Sequence, residues 1–341
     1  MEYLYYAGDD RFGALGVSSL RDRYAPKTNG PLPRLNAVQE LNDVAIKIIN
    51  SEPLSETEER LFAGVGSPLG GAKPKALIEI DGREWVIKFF HGEQVDAPLI
   101  EHASMTLASK AGICVARTRP IRLTGSHALA IERFDRHGLR RIHSISAGTA
   151  LRAATPDGQE PDLGYPSLAL LLRRAGDSSN SLNLTQAAEL FRRMVFNVLI
   201  DNTDDHEKNH ALLIKDPFNR PRFELAPAYD VLPCNSGQGR QEFICGDKGL
   251  ESTIDNAMSQ CELFGLTTVQ ATQEVKRVID VVSIWQSHFR QCGVTDRDIS
   301  ELARQIDGAA LLRQRKGFDP ARFTARKKAK RTNPFAPAKE S

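Results

Sequence analysis

No apolar run in this chain approaches the ~18 residues that a membrane-spanning helix needs, so no membrane role is expected. The N-terminal stretch MEYLYYAGDDRFGALGV meets acidic residues by position 9, which leaves no room for the apolar core of a secretory signal. Cysteine is scarce. The five among 341 residues (Cys114, Cys234, Cys245, Cys261 and Cys292) are scattered, odd in number and form no C-x-x-C pair. That pattern indicates neither a disulfide framework nor a zinc site, and it fits a reducing compartment. The expectation is a soluble, cytoplasmic protein. G-x-x-x-x-G-K-[ST] and G-x-G-x-x-G are also missing, which argues against a P-loop or a Rossmann site. No internal repeat is visible.

What is present is ordinary globular composition, 41% hydrophobic and 26% charged, at a length that allows two lobes with a core each. The net charge of +2 is unevenly spread. Residues 321–341 hold seven cations against Glu340, a local +6, which leaves −4 for the rest. This tail contains Pro334 and Pro337 and little apolar content, so disorder is expected of it. It could touch RNA, DNA or an acidic partner, or it could simply aid solubility.

The pattern of elements divides the chain. Residues 25–36 are rich in Pro, Gly and Asn and read as a loop, and 37–50 have helical spacing. The Gly/Pro stretch SPLGGAKPKA (67–76) precedes ALIEI–DG–REWVIKFF (76–90). Asp-Gly tolerates the positive φ of a tight I′ turn, so this segment predicts a hairpin. A helix is expected at 97–111, capped by Asp96, with Ile100, Ala103, Leu107, Ala108 and Ala111 on one face and Gly112 past its end. Strands at 117–123 and 127–134 follow. From about 140 onward helices are expected, among them 166–175, 185–201, 268–290 and 296–314. A β-rich lobe followed by an α-rich lobe is an α+β pattern, and the cleft between two such lobes is a natural ligand site.

One stretch stands apart. After the apolar run FRRMVFNVLI (191–200) comes DNTDDHEKN (201–209). Asp204 and Asn209 are spaced D-x-x-x-x-N, as in a kinase catalytic loop, where the Asp accepts a hydroxyl proton and the Asn holds Mg²⁺. Phosphoryl transfer needs a carboxylate at the nucleophile and hard oxygen ligands for a metal. Asp230 lies 21 residues beyond Asn209, after a predicted hairpin (211–214 with 222–225), where a second metal ligand would return. Lys88 sits on a predicted strand between Ile87 and Phe89 and needs a partner. Phosphate oxygens would serve, and Glu101 on the next helix could pair with it. Gly70 and Gly71 would let backbone N–H groups approach phosphates. Each feature has a plainer alternative. The acids could be a solvated loop, Lys88 could snorkel from a sheet face, Asp230 could cap a turn and His206 could bond within its loop. Asp204 and then Asp205 are expected to face the cleft, and Glu207 to face solvent. Carboxylates at a helix C-terminus are poor company for its dipole unless a cation is bound.

Taken in order, GALGV (13–17), SPLGGAKPKA, WVIKF (85–89), IEH (100–102), AIERFDR (130–136), FNVLIDNTDDHEKNHALL (196–213) and LAPAYDVLP (225–233) resemble the HipA-like Ser/Thr kinases, toxins of bacterial toxin–antitoxin pairs. The resemblance implies a two-lobed kinase-like fold with ATP between the lobes. Asp204 would then be catalytic, with His206 and Lys208 supporting the loop and the phosphates. Asn209 and Asp230 would bind Mg²⁺, Lys88 with Glu101 would serve the phosphates, and Gly70 and Gly71 would cover them. Glu132 and Phe134 fall where the family's hinge meets adenine through backbone groups. Ser67 is the nearest candidate for the serine that the family autophosphorylates in its Gly-rich loop. The expected division is a remnant N-terminal subdomain (1–35), a β-rich N-lobe (36–139), a helical C-lobe (140–320) and the tail. That subdomain is longer in larger relatives and a separate small protein in others. The family pairs with a helix-turn-helix antitoxin that binds operator DNA, and best-studied members phosphorylate aminoacyl-tRNA synthetases. A small-molecule phosphotransferase would use the same parts, and a non-catalytic regulator could act through the basic tail.

Overall fold

The computed structural model describes residues 5–323 except 7, 29, 64–72, 139, 220 and 235. Ser67, Gly70, Gly71 and the tail beyond Phe323 therefore lie outside the described residues.

After a 3-10 turn at Leu35–Ala37 come α1 (Val38–Ile49) and α2 (Glu56–Ala63). The strands β1 (Lys75–Ile80) and β2 (Arg83–Lys88) follow, then α3 (Ala97–Lys110), β3 (Thr118–Arg122) and β4 (His127–Glu132). The four strands make one antiparallel sheet in the order β1-β2-β4-β3. At the β1–β2 turn, Asp81 and Gly82 have φ of 52° and 73°, the I′ geometry whose twist suits a hairpin. The resulting register sets Lys88 opposite Lys75 on one side and Leu129 on the other.

Helix α3 starts where Asp96 Oδ1 accepts the Leu99 N–H at 3.2 Å, an ordinary N-cap. Its five expected core positions are all buried. Helix α1 packs on the sheet, with Val38, Leu41 and Ala45 in one cluster with Leu77, Ile78 and Ile87. Helix α3 belongs instead to the larger core, where Ile100 and Leu107 share a cluster with Phe191, Phe196, Val275 and Phe289. It is thus the element that joins the sheet to the helical part of the chain.

Two short strands, β5 (Arg136–His137) and β6 (Arg140–Arg141), make a small ribbon. Then come β7 (His143–Ser146), α4 (Ala147–Ala154), α5 (Tyr165–Ala175) and α6 (Leu182–Leu199). The expected hairpin is β8 (Ala211–Ile214) with β9 (Glu224–Leu225), and β7 joins it in the order β7-β8-β9. The remaining helices are α7 (Ile254–Ser259), α8 (Thr268–Val282), α9 (Trp285–Gln291), α10 (Asp296–Ile306) and α11 (Ala309–Lys316).

Two long helices expected from the sequence are each divided. The 268–290 segment breaks at Ser283–Ile284, where Ser283 Oγ bonds back to the Ile279 carbonyl at 2.7 Å. The turn lets Trp285 bury its ring and donate Nε1–H to Asp307 at 3.1 Å. The 296–314 segment breaks at Gly308, which has extended backbone (ψ 156°) ahead of α11.

Residues 9–15 form a strap with no helix or strand, held by side chains from 133–141. Arg133, whose side chain is fully buried, donates to the Asp10 and Arg11 carbonyls at 2.8 and 2.9 Å. Arg136 reaches the same Arg11 carbonyl at 2.8 Å, and Arg141 reaches the Gly13 carbonyl at 3.1 Å. The Gly13 N–H returns a bond to Asp135 Oδ2 at 2.7 Å. Gly13 has φ of 78°, and a Cβ there would come within 3.0 Å of the Ser144 backbone, so both conformation and space require glycine.

Candidate active site

Lys88 ends β2 with its Nζ 2.7 Å from Glu101 Oε1 on α3 and 2.7 Å from Asp230 Oδ1. Lys88 and Glu101 are almost wholly buried, while 43% of the Asp230 side chain is exposed. Burial would lower the Lys88 ammonium, but Glu101 and Asp230 overcome it and push its pKa up to about 12. Burial raises Glu101, and Lys88 opposes that only in part. Burial would raise Asp230 too, yet Lys88, with Lys75 and Lys73 beyond it, holds that carboxyl below its ordinary value. The three residues are thus one charged triad across a strand, a helix and a loop. Asp230 has φ of 58°, a left-handed conformation that non-glycine residues keep only where the surroundings impose it.

The polar loop starts where α6 ends. From Leu190 to Ile200 every residue is buried, so the helix is a rigid platform. Asp204 is exposed at the loop's apex. Its N–H donates to Cys234 Sγ at 3.3 Å, and its carbonyl accepts from Asn209 Nδ2 at 3.3 Å. The Asn209 N–H closes the turn onto the His206 carbonyl at 2.9 Å. His206 Nδ1 accepts the Lys208 N–H at 3.2 Å. Asp230's neighbour Tyr229 donates its hydroxyl to the Lys208 carbonyl at 2.7 Å. This bond joins the loop to the triad.

Two expectations for the loop's side chains are corrected. Asp205 does not face the cleft. It is buried against Tyr165 and His210, because an adjacent residue on a tight loop points the opposite way from Asp204. Glu207 does not stand in solvent. It is half-buried, its Cγ fills the space beside Gly148, and Arg152 lies 3.5 Å from its carboxylate.

At the end of β4, the Glu132 carboxylate pairs with Arg83 at 2.5 Å and Arg117 at 2.9 Å. Its N–H donates to the Arg117 carbonyl at 2.9 Å. Phe134 lies between two rings, Phe12 of the strap (6.4 Å between centroids) and Tyr229 (5.5 Å).

Asn209 and Asp230 suit Mg²⁺ in donor type. The Asn209 amide spends its N–H on Asp204, which leaves the amide oxygen as an acceptor, and Asp230 uses only Oδ1 for Lys88. Among the described residues no three His, Cys, Asp or Glu side chains cluster as a metal cage. Mg²⁺ needs no such cage, since it keeps waters and takes one or two protein oxygens beside phosphates.

The model of the HipA-like C-terminal domain matches residues 67–310. The chain belongs to the HipA-like family. Two Sinorhizobium fredii (strain NBRC 101917 / NGR234) proteins are similar to this HipA-like chain. "Putative kinase Y4dM" is 30% identical over 163 residues, covering 44% of this chain and 37% of that protein. "Putative kinase Y4mE" is 28% identical over 253 residues, covering 66% and 55%. The chain thus matches between about a third and about half of these relatives' length. Among solved structures, the Shewanella oneidensis MR-1 HipA, in complex with HipB and operator DNA, superposes with a TM-score of 0.61 at 16% identity, covering 88% of this chain and 74% of that one. The Helicobacter pylori proinflammatory kinase CtkA gives 0.54 at 13% identity, covering 77% and 94%. The HipA-like chain therefore has the α+β kinase-like fold. Among the described residues, no helix is long and apolar enough to cross a membrane.

Several residues around the site escaped sequence reasoning. Tyr229 stood beside Asp230 without a role. Arg133 and Asp135 flank Phe134 with no hint of burial. Asn197, like Arg192 and Arg193 a polar residue inside FRRMVFNVLI, is a visible signal that the platform carries polar contacts.

Proposed function

We propose that this chain is an ATP- and Mg²⁺-dependent serine/threonine protein kinase, with residues 36–139 and 140–320 as its two lobes. The observation that carries the reading is Lys88, shared at 2.7 Å by Glu101 and Asp230 within reach of the Asp204–Asn209 loop through Tyr229. A strand lysine paired with a helix glutamate, beside an aspartate that can take a metal, is the arrangement used by protein kinases.

The reading gives each residue a role. Lys88, charged throughout the physiological range, orients phosphate oxygens, and Glu101 fixes its position from behind. Asp204, exposed at the loop apex, accepts the proton of a substrate hydroxyl as that oxygen bonds to the γ-phosphorus. The bond from the γ-phosphorus to the bridging oxygen breaks, and ADP leaves. Asn209 and Asp230 would hold Mg²⁺, which supplies neutralisation of phosphate charge when bound. His206 and Lys208 support the loop and the phosphates. The Glu132 N–H is committed to Arg117, so adenine would meet the Glu132 carbonyl and the backbone at Phe134. Gly70 and Gly71 would cover the phosphates, with Ser67 as the autophosphorylation site.

The biological setting extends from the relatives. We assign to this chain the toxin role of a toxin–antitoxin pair, with a helix-turn-helix antitoxin as the partner through which it meets operator DNA. The substrate would be a translation-related protein such as an aminoacyl-tRNA synthetase. The test is γ-phosphate labelling with Mg-ATP, alone and with lysate, of the wild type beside Asp204→Ala. Label that depends on Asp204 is the expected result. No transfer to protein in either setting would overturn the reading.

A further inference from the structure

Beneath the Asp204 loop lies a second polar cluster that phosphoryl transfer does not use. Asp205 turns inward. Its Oδ2 accepts the Tyr165 hydroxyl proton and lies 2.8 Å from His210 Nε2. A carboxylate only accepts, so His210 donates from Nε2. Asn197 Nδ2 donates to the Tyr165 oxygen at 3.0 Å, and Asn202 Nδ2 donates to Asn197 Oδ1 at 3.1 Å. All five residues are at most 3% exposed. The Phe243 ring covers them, 4.9 Å from Tyr165 and 5.5 Å from His210 between centroids.

A buried carboxylate is costly unless it is paired and hydrogen-bonded, so its placement here has a mechanical consequence. Asp205 and His210 bracket residues 206–209, so Asn209 lies just inside the bracket and Asp204 just outside it. Their bond fixes the span between the brackets. Tyr165, the first residue of α5, bolts that span to the helical core, and Asn197 ties the bolt to the platform α6. Because Asp204 and Asp205 are neighbours facing opposite ways, a fixed inward direction for one fixes the outward direction of the other. An apolar side chain at 205 would fill the space and tie nothing.

We propose that Asp205 is a positioning residue that acts through Tyr165 and His210 to set the direction of Asp204 and Asn209. The activity part of its test rests on the kinase reading, and the exchange part does not. Four variants of the full chain are compared with wild type: Asp205→Leu, Asp205→Asn, Tyr165→Phe and a core control, Phe264→Leu, whose ring packs on Phe191. Asp205→Leu is expected to lower kcat about 100-fold with KM for ATP changed less than about threefold, the scale of a slightly misplaced catalytic group. Asp205→Asn offers one carbonyl oxygen to the same two donors and should recover to within about tenfold of wild type. Tyr165→Phe should lose about tenfold, and it carries the test if Asp205→Leu does not fold. The control should lose thermal stability and keep kcat. Hydrogen exchange at 204–209 should quicken in Asp205→Leu and Tyr165→Phe, while 190–198 stay protected. Unchanged loop exchange, or an Asn variant no better than Leu, would overturn the proposal. If the wild type transfers no phosphate at all, the kinase reading falls and the exchange result alone decides.

Discussion

Lys88→Met is expected to destabilise the protein by about 3–5 kcal/mol, the usual result of leaving a buried charge without its partner. The uncompensated charge is Glu101, whose folded-state pKa already lies above its ordinary value through burial. A carboxyl with a raised folded pKa binds more protons folded than unfolded, so stability rises as pH falls. Removing Lys88 enlarges that effect. The gap between wild type and variant should therefore narrow from pH 7.5 to 5.5, and Glu101→Gln added to the variant should recover most of the loss at pH 7.5. Urea titrations at the two pH values measure both, and a gap independent of pH would remove Glu101 as the cause. Asp230 works in the opposite sense. Its carboxyl is held below its ordinary value, so its contribution is complete above its unfolded pKa and is lost as pH falls through the folded one. Lys88 contributes fully below its unfolded pKa and is lost only as pH rises through about 12.

Asp204→Ala and Asp230→Ala should each abolish phosphoryl transfer, but their effects on folding should differ. Asp204 is exposed, and Ala there should change the melting temperature little. At Asp230 two effects add. Loss of the Lys88 partner destabilises, and the φ of 58° remains a strain for Ala. Asp230→Gly removes that strain and should be the more stable of the two by about 1 kcal/mol, with equal loss of activity. Calorimetry of the pair decides it.

Among the elements, those with a local signal were legible. The Asp-Gly turn, the Asp96 cap and the apolar stripe of α3 each depend on neighbours a few residues away, and each stands where the sequence puts it. Gly82→Val should cost about 1–2 kcal/mol, because Val resists positive φ, and chemical denaturation would detect it. The helix breaks at Ser283 and Gly308 were not legible. They serve the distant contact between Trp285 and Asp307, which no periodicity records. The same holds at the site. Asp204, Asn209, Asp230, Lys88 and Glu101 could be named from spacing and flanking residues. The inward turn of Asp205 could not, since its partner Tyr165 lies 40 residues upstream.

At the scale of the whole molecule, β4 gives Leu129 and Ile131 to the larger apolar core and Ala128 and Ala130 to the smaller one, and the strap reaches from residues 9–15 to the 133–141 segment. Removing residues 1–13 would strip the carbonyls of Asp10, Arg11 and Gly13 from three arginines. Buried donors left without acceptors cost about 1–3 kcal/mol each. A fall in melting temperature of roughly 5–10 °C is expected, read by calorimetry. A truncated chain that melts with the wild type would make the strap an ornament.

The strap also orders events in time. The bond from Gly13 to Asp135 spans 122 residues. At about 5–20 residues per second on the ribosome, residues 9–15 are synthesised roughly 6–25 s before the side chains that receive them. Through that interval Phe12 has no Arg133 or Phe134 to rest on. The 133–141 segment in turn cannot bury its arginines when it emerges unless the older strap is still free to fold back. A contact beside the candidate nucleotide site therefore waits on a piece made 122 residues earlier, and a chaperone or neighbouring chain that captured residues 9–15 during synthesis would leave the arginines exposed.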